Sequence, residues 1–157
     1  AIMDLDGPVC NCGKRGCLQV FSGEAMLLKR AKALEEEGKC PVLAGLTAKG
    51  EPLTMELLLQ AAADRDPDVE EMLQTGVRYM GISIANIVNL VNSPLVVIDS
   101  AVTSVPSMRE YLDQVIREHN YFKEELELET DYVAANRYTG ALGACAVAVK
   151  ELVIRRP

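Results

Sequence analysis

A chain of 157 residues with 49% hydrophobic and 25% charged residues is long enough to bury its own core and reads as one globular domain. Its formal net charge of −7 argues against a face that grips nucleic acid unaided, because phosphate contacts need basic side chains. Aromatics make up 4% and tryptophan is absent, which argues against a stacking platform for bases or sugars, and no apolar run of about 18 residues offers a membrane span.

Residues 1–9 read as a short strand and a turn punctuated by Asp6-Gly7-Pro8. The opening Ala1-Ile2-Met3-Asp4 has no initiator methionine and no lead-in, so a part of a longer chain is expected. Cys10-Asn11-Cys12-Gly13-Lys14-Arg15-Gly16-Cys17 then sets three thiols at C-x-C-x4-C spacing. Its glycines let the backbone fold back on itself. A thiolate cluster on such a turn wraps a Zn²⁺ ion, which prefers four ligands, so one ligand is missing. Five cysteines, an odd number with three crowded together, point to metal binding in a reducing cytoplasm rather than to disulfides. A secreted two-bridge protein is the weaker alternative.

Leu18 to about Glu37 reads as a helix, broken at Gly23, with Ser22 as a candidate cap and Gly38 ending it. Lys39 to Pro52 reads as a loop, with Cys40 as a structural thiol and, as the alternative, the fourth zinc ligand. Thr54 caps a helix to Ala63, and Asp66-Pro67 opens the longest helix, which runs to Val91 with one wide apolar face. Gly76 and Gly81 thin that helix for close packing. After the stop at Asn92-Ser93-Pro94, the run Leu95-Val96-Val97-Ile98 fits a fully buried parallel strand, with Asp99-Ser100 at the end where ligands sit in open α/β sheets. Ser107 to about His119 is a helix, Leu126-Glu127-Leu128-Glu129 alternates as a half-exposed strand, and Thr139 to Val153 is a small-residue helix suited to lie flush on a sheet or another helix. The order is that of an α/β protein.

Asp6-Gly7-Pro8-Val9 followed by Cys10 to Leu18 resembles the signature C-x-C-G-x-x-G-C-[LW]-E of the ROK family, which comprises sugar-responsive repressors and sugar kinases. Leu53 to Asp66 resembles the family's helix before its A-A-x-x-G-D turn. Gly81-Ile82-Ser83-Ile84-Ala85-Asn86-Ile87-Val88-Asn89-Leu90-Val91-Asn92-Ser93-Pro94 resembles its G-x-x-x-A-N-L-V-N-L-x-N-P segment, and Gly143-Ala144 its closing G-A-A helix. The resemblance covers essentially the whole chain and only the C-terminal portion of a family member. It implies an α/β lobe of the ribonuclease-H-like (actin-like ATPase) fold with a zinc knuckle at 10–17, incomplete without its N-terminal half. Residues 1–157 would then be the C-terminal part of an effector-binding domain.

By the same resemblance, Cys10, Cys12 and Cys17 are zinc ligands, and the fourth would be a histidine just upstream of Ala1. The zinc would be structural. His119, in a helix among Arg117, Glu118 and Asn120, reads as a solvated helix histidine rather than a ligand or base.

Three departures bear on function. Gln19 stands where the family usually has a glutamate that accepts hydrogen bonds from sugar hydroxyls, so a sugar-binding Gln19 loses the charge-assisted contact. Asp99-Ser100 stands where the kinases usually carry Gly-Gly, which argues against nucleotide binding. No Gly-rich phosphate loop occurs, so the chain alone is not expected to phosphorylate a sugar. The favoured expectation is the sugar- or sugar-phosphate-sensing half of a cytoplasmic, homo-oligomeric ROK-type transcriptional repressor that reaches DNA only through a domain outside this chain. The alternative is part of an ATP-dependent ROK sugar kinase. A regulator-like protein that has lost ligand binding, its helices 68–91 and 139–153 serving assembly, is the bland third reading.

Overall fold

The helices assemble around Asp66, whose side chain is fully buried. In the computed structural model, which describes residues 1–48, 50, 52–121, 128–133, 138–150 and 152, one carboxylate oxygen of Asp66 accepts the backbone N–H groups of Asp68 and Val69 at 3.1 and 3.2 Å. That is the N-cap of α5 (Pro67–Val91), as the Asp66-Pro67 pair predicts. The other oxygen accepts the N–H groups of Val42 and Leu43 at 2.9 and 3.0 Å. Those open a helix where a loop was expected: α3 (Pro41–Thr47). The expectation failed because α3 has no local side-chain cap, and Cys40 before it sits at φ +57°. Its cap arrives from a residue more than twenty positions further on. Asp68 completes the junction by accepting the Cys40 N–H at 2.8 Å.

α1 (Leu18–Ser22) and α2 (Glu24–Glu36) are two helices with their break at Gly23, as expected. The Ser22 hydroxyl does not cap α2: it donates back to the Leu18 carbonyl at 3.1 Å, satisfying itself within α1. α2 ends at Gly38 (φ +77°), with Lys39 N–H on the Leu34 carbonyl and Gly38 N–H on that of Glu35, the paired bonds of a Schellman stop. α4 (Met55–Ala63) is capped by the Thr54 hydroxyl, which accepts from Leu57 N–H.

α5 is the axis of the molecule and packs against α6 (Pro106–His119), α1, α2 and α4. Leu27, Leu43, Leu58, Leu73, Met108 and Leu112 are among the side chains this burial removes from water. Gly76 lets α1 lie against α5: a Cβ there would stand 2.6 Å from the Phe21 carbonyl oxygen. At the far end Asn89 joins α5 to the end of α6, its amide donating to the His119 carbonyl at 3.0 Å and accepting the Tyr121 N–H at 2.8 Å.

β1 (Leu95–Asp99) and β2 (Glu129–Val133) form a parallel pair, in register from Leu95 opposite Glu129 to Asp99 opposite Val133. The expected parallel direction is present, but the expected complete burial is not. Ile98 is buried, while Leu95 and Val97 are 45% and 56% exposed. One face packs into the helical core, and none of the described residues covers the other. The second strand lies further along than the alternation at 126–129 suggested. Residues 126 and 127 fall outside the described residues, and Leu128 precedes the strand. β2 escapes pattern reading because polar side chains anchor it: Thr130 and Tyr132 donate to the Asp113 carboxylate of α6 at 2.9 and 2.6 Å. α7 (Thr139–Val149) is helical as expected but does not lie flush on any of the described residues: its described side chains, Gly140 to Val149, are exposed. No helix among the described residues is long and apolar enough to cross a membrane.

Candidate metal centre and adjoining cavity

Short backbone bonds shape the loop that carries the three thiols. Gly13 N–H reaches the Cys10 carbonyl at 2.9 Å, and Cys10 N–H reaches the Lys14 carbonyl at 2.7 Å. Val9 bridges Arg15, and Ile2 bridges Cys17, which ties residues 1–3 across the base of the loop. Gly16 (φ +59°) is pressed onto that segment, since a Cβ there would overlap the Asp4 carbonyl oxygen at 1.5 Å. A satellite core of Cys10, Val20 and Phe21 with Met3, Met26 and Tyr79 lies beneath. Phe21 and Tyr79 pack with ring centroids 4.4 Å apart and planes tilted by 39°, fastening α1 to α5.

Cys10, Cys12 and Cys17 converge, with their sulfurs all within 4.8 Å of one another. The Cys12 and Cys17 sulfurs are 3.6 Å apart. A tetrahedral Zn–S distance of about 2.3 Å sets sulfurs at about 3.8 Å, so the three thiols fit three corners of such a site. Their electrostatics fit a cation too. The Lys14 backbone amide, then the Cys10 and Cys17 thiols, hold Cys12 below the ordinary thiol range. Cys17 is pushed up to about 11, chiefly by its hydrogen bond with Cys12. A metal ion would take the place of the protons these sulfurs share.

Cys40 is not in this cluster. It is fully buried beside Asp66 and Asp68, which rules out the alternative of Cys40 as fourth ligand. Those two carboxylates are already occupied by backbone N–H groups, so that trio is a helix junction. His119 ends α6 with Nδ1 2.9 Å from the Val115 carbonyl, far along the chain from the thiols and tied to its own helix.

Gln19 lies on α1, two residues after the last thiol, and is exposed. It lines a cavity of about 80 Å³ together with Cys10, Asn11 and Glu24. Asn11 and Glu24 were not singled out in the sequence. The only available signal was the Gly23 break, which brings position 24 round to the side of position 19.

A larger recess of about 540 Å³ opens at the C-terminal ends of β1 and β2, lined by Ser100, Ser104, Arg109 and Tyr132 among others. Ser100 is extended (φ −150°), so the turn after β1 uses no glycine-specific conformation. Its carbonyl accepts the Thr103 hydroxyl at 2.7 Å, closing a short 3₁₀ turn at Ala101–Ser104. Arg109 is engaged as well. Its Nε donates to the Thr103 carbonyl at 3.1 Å, and its guanidinium lies 4.8 Å from the Tyr132 ring centroid.

The parallel pair joined by α6, flanked by the packed helices, defines an α/β lobe, and its structural neighbours share the actin-like ATPase fold. The family model for the ROK family matches residues 1–151, and the chain belongs to that family. It is 25% identical over 152 residues to a xylose repressor of Caldicellulosiruptor bescii, a match covering 96% of this chain and 38% of that protein. A ROK family transcriptional regulator, a homologue of the Escherichia coli MLC protein, superposes with a TM-score of 0.71 at 27% identity, over 84% of this chain and 33% of the other. A ROK hexokinase from Thermus thermophilus superposes with a TM-score of 0.70 at 22% identity, over 96% and 47%, which speaks to the fold alone. The chain thus spans less than half the length of each of these relatives.

Proposed function

We propose that residues 1–157 are the C-terminal part of the effector-binding domain of a ROK-type transcriptional repressor, which senses a sugar or sugar phosphate in the cytoplasm. The likeness to a xylose repressor along nearly the whole chain supports the repressor class. The observation that carries the reading against a kinase is the end of β1. There Asp99 and an extended Ser100 replace the glycine turn that kinases use to bring backbone against a nucleotide, and the only cation among the recess residues named above is tied to Thr103 and Tyr132. Cys10, Cys12 and Cys17 would hold a structural Zn²⁺ with a histidine from outside this chain. The ion would cross-link the loop and so fix the start of α1, with Gln19 on the sugar. Effector binding would shift a two-state arrangement that sets DNA affinity, and DNA contact would come from another domain of a homo-oligomer.

The test is isothermal titration of the full-length protein with D-xylose, D-glucose and their phosphates, beside an ATP-coupled phosphorylation assay. Sugar heat without phosphoryl transfer is expected. No heat with any of them would sink effector sensing, and ATP-dependent phosphorylation would establish the kinase alternative.

A further inference from the structure

We infer that Glu24 supplies the sugar-binding carboxylate that Gln19 lacks, so the two residues together form the diol-recognition edge of the site. The inference rests on the proposed sugar-sensing function and deepens it.

The two side chains come from successive helices and line one cavity. Gly23 between them is what permits this. Its N–H bonds the Gln19 carbonyl at 2.9 Å, and a Cβ on it would stand 2.5 Å from that carbonyl oxygen and 3.1 Å from the Gln19 Cγ. The chain therefore folds tightly over Gln19, and the next residue emerges beside it. Glu24 is exposed and makes no ion pair among the described residues; it stands in the first turn of α2, where its charge also favours the helix start.

Size and chemistry agree on the ligand. At about 80 Å³ the cavity is far smaller than the ~300–1,000 Å³ of a pocket that encloses a whole ligand, so it takes only one edge of a sugar. That is one pair of adjacent hydroxyls, with the rest of the ring projecting outward. A carboxylate is acceptor-only and takes the O–H donors of such a pair. The amides of Gln19 and Asn11 each offer a donor and an acceptor to the hydroxyl oxygens. The charge absent at position 19 is thus restored five residues later.

Binding of D-xylose and D-glucose to the full-length protein is measured by titration calorimetry for the wild type, Glu24→Gln, and the double variant Gln19→Glu with Glu24→Gln. Loss of the charge-assisted contacts in Glu24→Gln is expected to weaken the sugar that binds by about tenfold or more. Moving the carboxylate back to position 19 in the double variant is expected to restore affinity to within a few-fold. The unliganded melting temperature of Glu24→Gln is expected to fall only slightly, by the loss of one first-turn charge, so a large loss of sugar affinity beside it separates a ligand contact from a helix-start role. Wild-type affinity in Glu24→Gln would overturn this inference and leave sugar sensing standing. A double variant as weak as Glu24→Gln would overturn the exchange of roles. A wild-type protein that binds neither sugar would overturn both.

Discussion

The helical body around Asp66 and the cysteine loop around Cys12 solve the same problem, satisfying backbone polar groups where the chain turns, by opposite means. In the body, one buried carboxylate gathers four N–H donors from two helices, and apolar side chains from α2 to α6 seal it. In the loop, the satellite core has only three buried residues among those described, and the shape comes from local backbone bonds, glycines and three thiols that lie within reach of one ion. The cysteines report the difference. Cys40, fully buried in the body, is pushed up to about 11, first by burial and then by Asp66 and Asp68. In the loop the shifts follow neighbouring groups instead: the Lys14 backbone amide and then the other thiols lower Cys12, while the hydrogen bond with Cys12 pushes Cys17 up to about 11. Burial holds the body together, whereas the loop brings three thiols within reach of one ion.

The comparison is broken most severely at Asp66. Asp66→Ala leaves four donors unmet and uncaps two helices, with an expected loss of about 3–5 kcal/mol in urea denaturation. A loss below about 1 kcal/mol would mean the two caps are not the body's anchor. Gly76→Ala attacks the seam between the regions, because the added Cβ meets a backbone oxygen that cannot swing aside. A cost of about 1–3 kcal/mol is expected, with increased hydrogen exchange in α1 before α4.

Metal removal tests the loop alone. The full-length protein is expected to hold close to one zinc by elemental analysis, and Cys17→Ser to lose it. Chelation is expected to raise exchange across residues 1–23 while α4 to α6 keep their protection. Equal loss of protection in α5 and α6 would erase the distinction between the regions. In metal-free protein at neutral pH, iodoacetamide is expected to modify Cys12 well before Cys40, and Cys40 only on unfolding.

The smallest effect is in alkali. The folded-state pKa of Cys40 lies above that of the unfolded thiol, near 9, so the unfolded chain loses this proton first. Its contribution is complete below about pH 9 and falls away as pH rises toward about 11. Cys40→Ala is expected to flatten part of that decline in a pH series of denaturation midpoints. Tyr132, raised by burial and then by Asp113, adds a decline that begins higher, since an unperturbed tyrosine titrates near 10.

What could be read in advance follows from how far each interaction reaches along the chain. The loop was legible because C-x-C-x4-C and its glycines are contiguous. The Gly23 break, the Gly38 stop, the Thr54 cap and the Asp66-Pro67 start were legible because each acts within about one turn. α5 was legible because its apolar face repeats over 25 residues. α3 was hidden, since its cap comes from Asp66, and β2 was misplaced, since Asp113 rather than an apolar alternation holds it. The exposed faces of β1 and α7 differ from expectation because an apolar sequence records a preference for burial and not the partner that supplies it.

Consecutive residues encode the family resemblance, the three thiols and the position of Gln19. The folded chain adds that Asp66 starts two helices, that Cys40 belongs to their junction and not to the thiol cluster, and that Glu24 shares a cavity with Gln19. Each of those depends on where backbones come together in space, through a shared carboxylate or a glycine with no side chain to hold the chains apart, and spacing along the chain does not encode it.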